Sequence, residues 1–190
     1  TTHQVSTIPQ GIKQVSPDVF VLKEKTYVVD RRIIEWLKNK ALASPTRRAR
    51  ICLHETADEI VQEMIIAVHK TSFVPPHYHP YKEETFNVME GEASMLIFSA
   101  DGKITGKYEL SAITSLKKKH ADSYFYRVKR NTIHGLVLKT EWLIFHEVTS
   151  GPYRSDGIKI PDWAPKDKNI DEQCSWYINL LKNDENFKYG

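Results

Sequence analysis

The sequence predicts a mainly β protein, an antiparallel sandwich or jelly roll with a helix before it and a helical tail after it. Three observations carry this. From residue 47 to 148, short runs rich in β-branched and aromatic residues follow one another, separated by turn signals. On either side of that block the apolar spacing becomes helical. Between two of the runs lies "HYH", residues 77–79, followed five positions later by a carboxylate, a pattern that belongs to a site and not to a plain turn.

Taken in order, residues 18–29 include two β-like runs, "VFVLK" and "TYVV". Asp30 reads as an N-cap, because its short carboxylate can accept from a backbone N–H of the first turn. Residues 31–43, "RRIIEWLKNKALA", place Ile33, Ile34, Leu37 and Ala41 on one helical face and stop before Ser44-Pro45. Eight strands follow, at 49–54, 62–69, 83–90, 93–99, 104–110, 124–129, 134–139 and 142–148. The turns fall at Glu90-Gly91, Asp101-Gly102, Asn131 and Lys139-Thr140. Residues 151–169 carry three prolines and no period, so they read as a surface wrap. A closing helix is expected over 170–182, with Trp176, Tyr177, Leu180 and Leu181 as its apolar side. The whole reads as one domain over 1–190: a core at about 47–150, a strand-helix extension at 17–43, and a wrap and helix at 151–190.

Composition sets limits on partners. The 190 residues are 41% hydrophobic and 27% charged, with a net charge of +3, which is far from the strongly basic pattern of a nucleic-acid binder. The one dense cation run, Lys117 to Lys119, reads as a solvated loop. No apolar stretch is long enough to span a bilayer. The start, "TTHQVSTIPQ", has neither a basic region nor an apolar one, and Cys52 and Cys174 form no CxxC motif. The expectation is a cytoplasmic protein with reduced thiols, no nucleic acid and no membrane.

A strand has period two, so His77 and His79 project to the same side. Glu84 begins the next strand. Two imidazoles and one carboxylate make a facial set suited to a divalent first-row metal. Glu83 competes for the carboxylate role, and strand alternation puts it on the opposite face. His134, after the probable turn at Asn131, is the candidate fourth ligand. Three histidines and one glutamate leave up to two positions of an octahedral ion for water or substrate. A histidine-rich pocket without metal is the alternative.

Other residues could face such a site. Arg48, Arg50, Cys52 and His54 share parity on an early strand, and two guanidiniums with an imidazole would bind an anion. An exposed basic strand edge is the competing reading. Gln62 could hydrogen-bond a substrate hydroxyl or serve as a core glutamine. Tyr126 and Tyr124 could act as acid/base groups or as core and rim aromatics. Lys82 reads as a solvated turn residue. His146 and Glu147 alternate, so one of them faces inward and needs a partner or a role beside a ligand histidine. His3, His69 and His120 have no such context.

The spacing His77, His79, Glu84, Gly91 is similar to the first motif of the cupin superfamily, HxH, four residues, Glu, six residues, Gly. The second cupin motif ends in Pro-x-Gly-x-x-His; here Lys129 and Asn131 replace its proline and glycine before His134. The chain further resembles the WbuC family of cupin-fold metalloproteins, associated with surface-polysaccharide gene clusters. That resemblance rests on 41–54, 61–64, "PPHYHPYKEETFNVMEGE" at 75–92, "LIFSADGKI" at 96–104, 145–156 and "DWAPKD" at 162–167. It implies a cupin fold, a homodimer, and one divalent transition metal (Fe, Mn, Ni or Zn) on His77, His79, Glu84 and His134. It also implies a small polar, sugar-type or anionic substrate. Tyr126 and His54 would be catalytic, and Arg48, Arg50, His54 and Gln62 would hold the substrate. Isomerase or epimerase, lyase and oxygenase chemistry stay open, as does a non-catalytic module that senses a sugar.

Overall fold

The computed structural model describes residues 7–113, 123–166 and 170–183. The expected cation run Lys117 to Lys119, His3, His120 and the side chain of Cys174 lie outside the described residues.

The chain opens with a hairpin, β1 (Ile12–Ser16) and β2 (Val19–Leu22), followed by helix α1 (Arg31–Ala43). The strands β3 (Arg48–Cys52), β4 (Val61–His69), β5 (Glu84–Glu90), β6 (Glu92–Phe98), β7 (Ile104–Ser111), β8 (Phe125–Val128), β9 (Ile133–Leu138) and β10 (Trp142–Ser150) come next, and helix α2 (Ile170–Asn183) closes the described chain. They form a seven-stranded sheet, β1-β2-β3-β4-β10-β5-β8, and a three-stranded sheet, β7-β6-β9. β2 runs parallel to β3, and the other pairs are antiparallel. The fold is a jelly roll, with β10 inserted between β4 and β5 and the short sheet facing the long one.

Strand alternation sorts the apolar side chains into three cores. Met64, Ile66, Phe86, Phe145, Met95 and Leu136 fill the space between the sheets. Ile65, Ala67 and Ile144 point the other way, onto Trp36, Leu37 and Ala41 of α1. On the far side, Tyr177 of α2 packs against Leu96, Phe98 and Ile104, with Trp176, Leu180 and Leu181 at the margin of the cluster. Four layers result, and each helix buries one apolar stripe on the outer face of one sheet.

Asp30 caps α1 as expected, accepting from the Ile33 N–H at 3.1 Å. The buried face of α1 is centred on Trp36, Leu37 and Ala41, while Ile33 and Ile34 pack only partly. One expectation needs correction. "TYVV" is not a strand: Tyr27 and Val29 lean on the α1 core and Val28 is exposed, so the segment has no strand to pair with. Residues 12–16, with mostly exposed side chains, do form a strand, because β2 supplies the partner.

Gly91 closes the β5–β6 turn at φ 91°, and a Cβ there would come within 2.0 Å of the Trp142 carbonyl oxygen. Asn131 also lies in the left-handed region, at φ 62°, as its side chain permits. Cys52 is a buried free thiol. No helix among the described residues is long and apolar enough to cross a membrane.

Candidate metal centre

The site is built from three strands' worth of backbone. His77 and Tyr78 are extended but belong to no long strand. His77 exchanges both backbone hydrogen bonds with His134 at the start of β9, each at 2.9 Å. Tyr78 does the same with Lys159 in the C-terminal wrap, at 2.9 and 3.0 Å. The Asn131 N–H donates to the His79 carbonyl at 3.0 Å, so the left-handed turn before β9 is anchored on the ligand segment. Glu84 begins β5 with its side chain toward the inter-sheet space, on the side of Phe86 and Val88.

Each ligand imidazole is oriented by a carbonyl. Nδ1 of His77 donates to the Pro75 oxygen at 2.9 Å, Nδ1 of His79 to the Gly157 oxygen at 3.1 Å, and Nδ1 of His134 to the Thr132 oxygen at 2.9 Å. A carbonyl oxygen can only accept, so the proton of each neutral ring sits on Nδ1 and each Nε2 presents a lone pair. The Nε2 atoms of His79 and His134 are buried with no hydrogen-bond partner. Ligand atoms of His77, His79, Glu84 and His134 all lie within 4.8 Å of one another.

Glu84 Oε2 stands 3.0 Å from His79 Nε2, and Oε1 stands 3.8 Å from His134 Nε2. Two acceptors cannot rest at 3.0 Å with nothing positive between them. Either a proton on His79 Nε2 or a metal cation must be there. Two ligands at right angles, each about 2.1 Å from one ion, stand about 3.0 Å apart, so the spacing fits a metal. Three imidazoles with one carboxylate are also the right donor chemistry for a divalent transition ion.

The charges agree. Burial alone would raise the Glu84 carboxyl, but the close approach of His79 and the nearby imidazoles outweigh it and hold the group down at about 2. Burial and the repulsion of His134 bring His77 down to about 4, so its ring is neutral at neutral pH. The Tyr126 hydroxyl donates to Glu84 Oε1 at 3.2 Å, and its ring stacks on Phe86 with centroids 4.7 Å apart. Burial first, then the charges of Glu84 and Glu147, push the phenol well above its ordinary value. Tyr126 is therefore a neutral donor that orients the Glu84 carboxylate. Its face also forms part of the wall of an open cleft of about 450 Å³ between β7 and β8.

The other expected residues divide. Glu83 faces out and pairs with Arg127, which leaves the carboxylate role to Glu84. Arg48 and Arg50 lie on the inner face of β3, in line with Cys52 of the inter-sheet core. Arg48 is half-buried, and burial followed by Arg50 lowers its guanidinium. His54 lies beyond the end of β3, and its Nδ1 is engaged by the backbone of Glu63 at 3.0–3.1 Å. Gln62 is buried, and its amide donates to the Thr56, Ala57 and Glu59 carbonyls at 3.4, 3.3 and 2.9 Å. Both hold the β3–β4 loop. Tyr124 is exposed outside β8.

Sequence reasoning read Lys82 as a solvated turn residue, yet it is half-buried and close enough to lower the Glu147 carboxyl. Glu147 is the inward member of the His146–Glu147 pair; His146 faces out and meets Glu63 at 2.7 Å. The Gly157 carbonyl was invisible in sequence, since any residue supplies a carbonyl.

Fold and cluster together define a jelly-roll protein with a three-histidine, one-glutamate group able to hold a metal ion. A family model described as a domain of unknown function (DUF6016) matches residues 29–110. That is under half of the chain; it includes His77, His79 and Glu84 and ends before His134. No curated protein matches. Among solved structures, the chain is similar to a conserved protein with a double-stranded β-helix domain from Klebsiella pneumoniae, at 20% identity, covering 60% of this chain and 80% of that one, TM-score 0.44. KdgF from a Halomonas species is similar at 18% identity, covering 60% and 84%, TM-score 0.44. CapF is similar at 13% identity, covering 60% of this chain and only 32% of its own length, TM-score 0.48.

Proposed function

We propose that the protein is a metal-dependent enzyme acting on a small, polar, anionic substrate of the sugar-derived class. The observation that supports it best is the set of three imidazoles whose Nδ1 atoms are tied to carbonyls, turning three Nε2 lone pairs and Glu84 onto one point. His77, His79, Glu84 and His134 would hold one ion of Fe, Mn, Ni or Zn, which supplies Lewis-acid polarisation of a substrate oxygen when bound. The chain's own residues do the rest. Tyr126 keeps Glu84 oriented, and Arg48 and Arg50 would hold the acidic group of the substrate. The sugar class rests on the WbuC-like segments. A homodimer is in keeping with the short edge strand β8, whose Phe125 is exposed.

The test is elemental analysis of protein purified without chelators or a histidine tag, beside a His77→Ala, His79→Ala double variant. About one equivalent of a single transition metal is expected in the wild type and none in the variant. The loaded protein should then turn over a member of a panel of nucleotide-sugars and sugar phosphates, and His79→Ala should not. A folded wild type that takes up no metal on reconstitution overturns the reading. Metal with no turnover across the panel favours the non-catalytic sugar-sensing module.

A further inference from the structure

β8 ends the long sheet and β7 ends the short one, and the two strands do not pair along their length. Among the described residues they are tied at one end, where the Ser111 N–H donates to the Ser123 carbonyl at 2.9 Å. Beyond that contact they part, and the open cleft of about 450 Å³ lies between them. Its floor is the inter-sheet core: Met95, Leu110, Tyr126 and Val128 are all buried. Its lips are aromatic. Tyr108 of β7 is 53% exposed and Phe125 of β8 is 52% exposed. The Tyr108 ring lies back over Gly106, where a Cβ would stand 3.2 Å from it. Single exposed apolar side chains are ordinary, but two rings flanking an apolar floor make a surface that gains by being covered.

The charges at the cleft have one sign. Among the described residues, Arg127 and Lys129 line it and no carboxylate does. Arg127 is held by Glu83, whereas no ion pair among the described residues engages Lys129. Lys129 and Thr132 bracket the turn at one end of the cleft, where the Thr132 N–H donates to the Lys129 carbonyl at 3.3 Å. We propose that this cleft binds a small aromatic carboxylic acid, its ring between Tyr108 and Phe125 and its carboxylate at Lys129 and Thr132. The volume is that of a small-molecule pocket and suits one or two rings. Aromatic lips favour a flat ring, which can lie against them face or edge. The Lys129 ammonium gives the carboxylate a charge-assisted hydrogen bond, and the Thr132 hydroxyl is a second donor. A basic ligand would meet only like charge. A sugar would bring hydroxyls that the apolar floor leaves unsatisfied.

The cleft shares a wall with the metal centre but none of its ligands. Tyr126 lines the cleft while its hydroxyl donates to Glu84 at 3.2 Å. Thr132 lines it too, and its carbonyl accepts from Nδ1 of His134 at 2.9 Å. His77, His79, Glu84 and His134 are not among the residues that line it. Tyr126 thus stands between the bound acid and the three imidazoles, and the acid is held without an ion. The inference stands apart from the functional reading above, because it names a second ligand of a class that reading does not include.

The probe is 2-naphthoate, a fluorescent two-ring carboxylate, titrated with the full chain. The control is 2-naphthalenemethanol, which has the same rings and no charge. Saturable binding of one naphthoate per chain is expected, with the alcohol weaker by about tenfold or more. Lys129→Gln should bring the acid down to the level of the alcohol. Tyr108→Ala with Phe125→Ala should weaken both probes by about tenfold or more, with little change in melting temperature because both rings are half exposed. The His77→Ala, His79→Ala double variant should bind naphthoate as the wild type does. A wild type without saturable binding overturns the proposal, and so does equal binding of acid and alcohol. Binding that survives loss of both lip rings overturns it as well. Naphthoate lost together with the two histidines would place the acid on the ion and overturn the separate site. A probe expelled as the protein is concentrated would overturn it in favour of a face that docks a second copy.

Discussion

His77 and His134 clasp each other through their backbones: each N–H donates to the other's carbonyl at 2.9 Å. Two ligands 57 positions apart in the chain are thereby fixed in register before any metal binds. The clasp uses no side-chain atom. His134→Ala should therefore leave the fold intact, by circular dichroism, while removing one ligand. The loss of metal affinity should exceed the roughly 100-fold upper range for losing a mere supporting partner. Chelator competition measures it, and unchanged affinity would exclude His134 from the ligand set.

Metal should also stabilise. The lone pairs of His79 and His134 are buried without partners, so an ion that satisfies them binds the folded chain far better than the unfolded one. At about 100 times its dissociation constant such an ion adds about 2.7 kcal/mol. For a domain of this size that is a rise in melting temperature on the order of 5–10 °C. Calorimetry with and without the ion should show it for the wild type and not for His79→Ala.

Tyr126→Phe isolates the positioning role of the hydroxyl. The ring still stacks on Phe86, but Glu84 loses its 3.2 Å hydrogen bond. Metal affinity should fall about tenfold with little change in melting temperature. A variant that binds metal as the wild type does would remove Tyr126 from the site's support.

Glu147 gives the metal-free protein a pH signature. Its carboxyl titrates near 8 in the fold and near the ordinary carboxylate value of 4.5 once unfolded. Between those values the folded chain keeps a proton that the unfolded chain has lost. Stability is then highest below the unfolded value, falls as pH rises through the window, and levels off above about 8. Glu147→Gln removes this dependence. Urea titrations in EDTA should find the variant gaining on the wild type at the alkaline end and not at the acid end. Equal gains at both ends would assign the effect to packing.

Two turns test how closely backbone geometry holds the ligands. Gly91→Ala meets the Trp142 carbonyl as well as a left-handed φ, and should cost on the order of 3 kcal/mol. Asn131→Ala faces only the left-handed φ, at about 1 kcal/mol, and Asn131→Gly should cost nothing. Denaturation midpoints rank the three; a neutral Gly91→Ala would contradict the turn geometry.

Most of the His77, His79, Glu84 and His134 cluster was legible because its signals are local. Period two put His77 and His79 together, spacing chose Glu84 over Glu83, and Asn131 announced the turn before His134. Helix α1 was readable to the residue from Asp30 and Ser44-Pro45. What the sequence hid depends on contact between distant segments. β1 has little apolar pattern and exists because β2 lies beside it, whereas "TYVV" has the pattern and no neighbour. Gln62 and His54 carry site-like side chains whose donors and acceptors are taken by the β3–β4 loop. Lys82 looked like a turn residue until the fold turned it inward.

The carbonyl that orients His79 belongs to Gly157, 78 positions downstream. During synthesis, the strands bearing His77, His79, Glu84 and His134 leave the ribosome well before residue 157 does. Until then the His79 ring has no partner to settle its tautomer, and the ligand group is incomplete in orientation although complete in composition. An ion held by this group would thus be acquired late, timed by the wrap and not by the barrel. A chain stopped after β10 would have every ligand and still handle metal poorly.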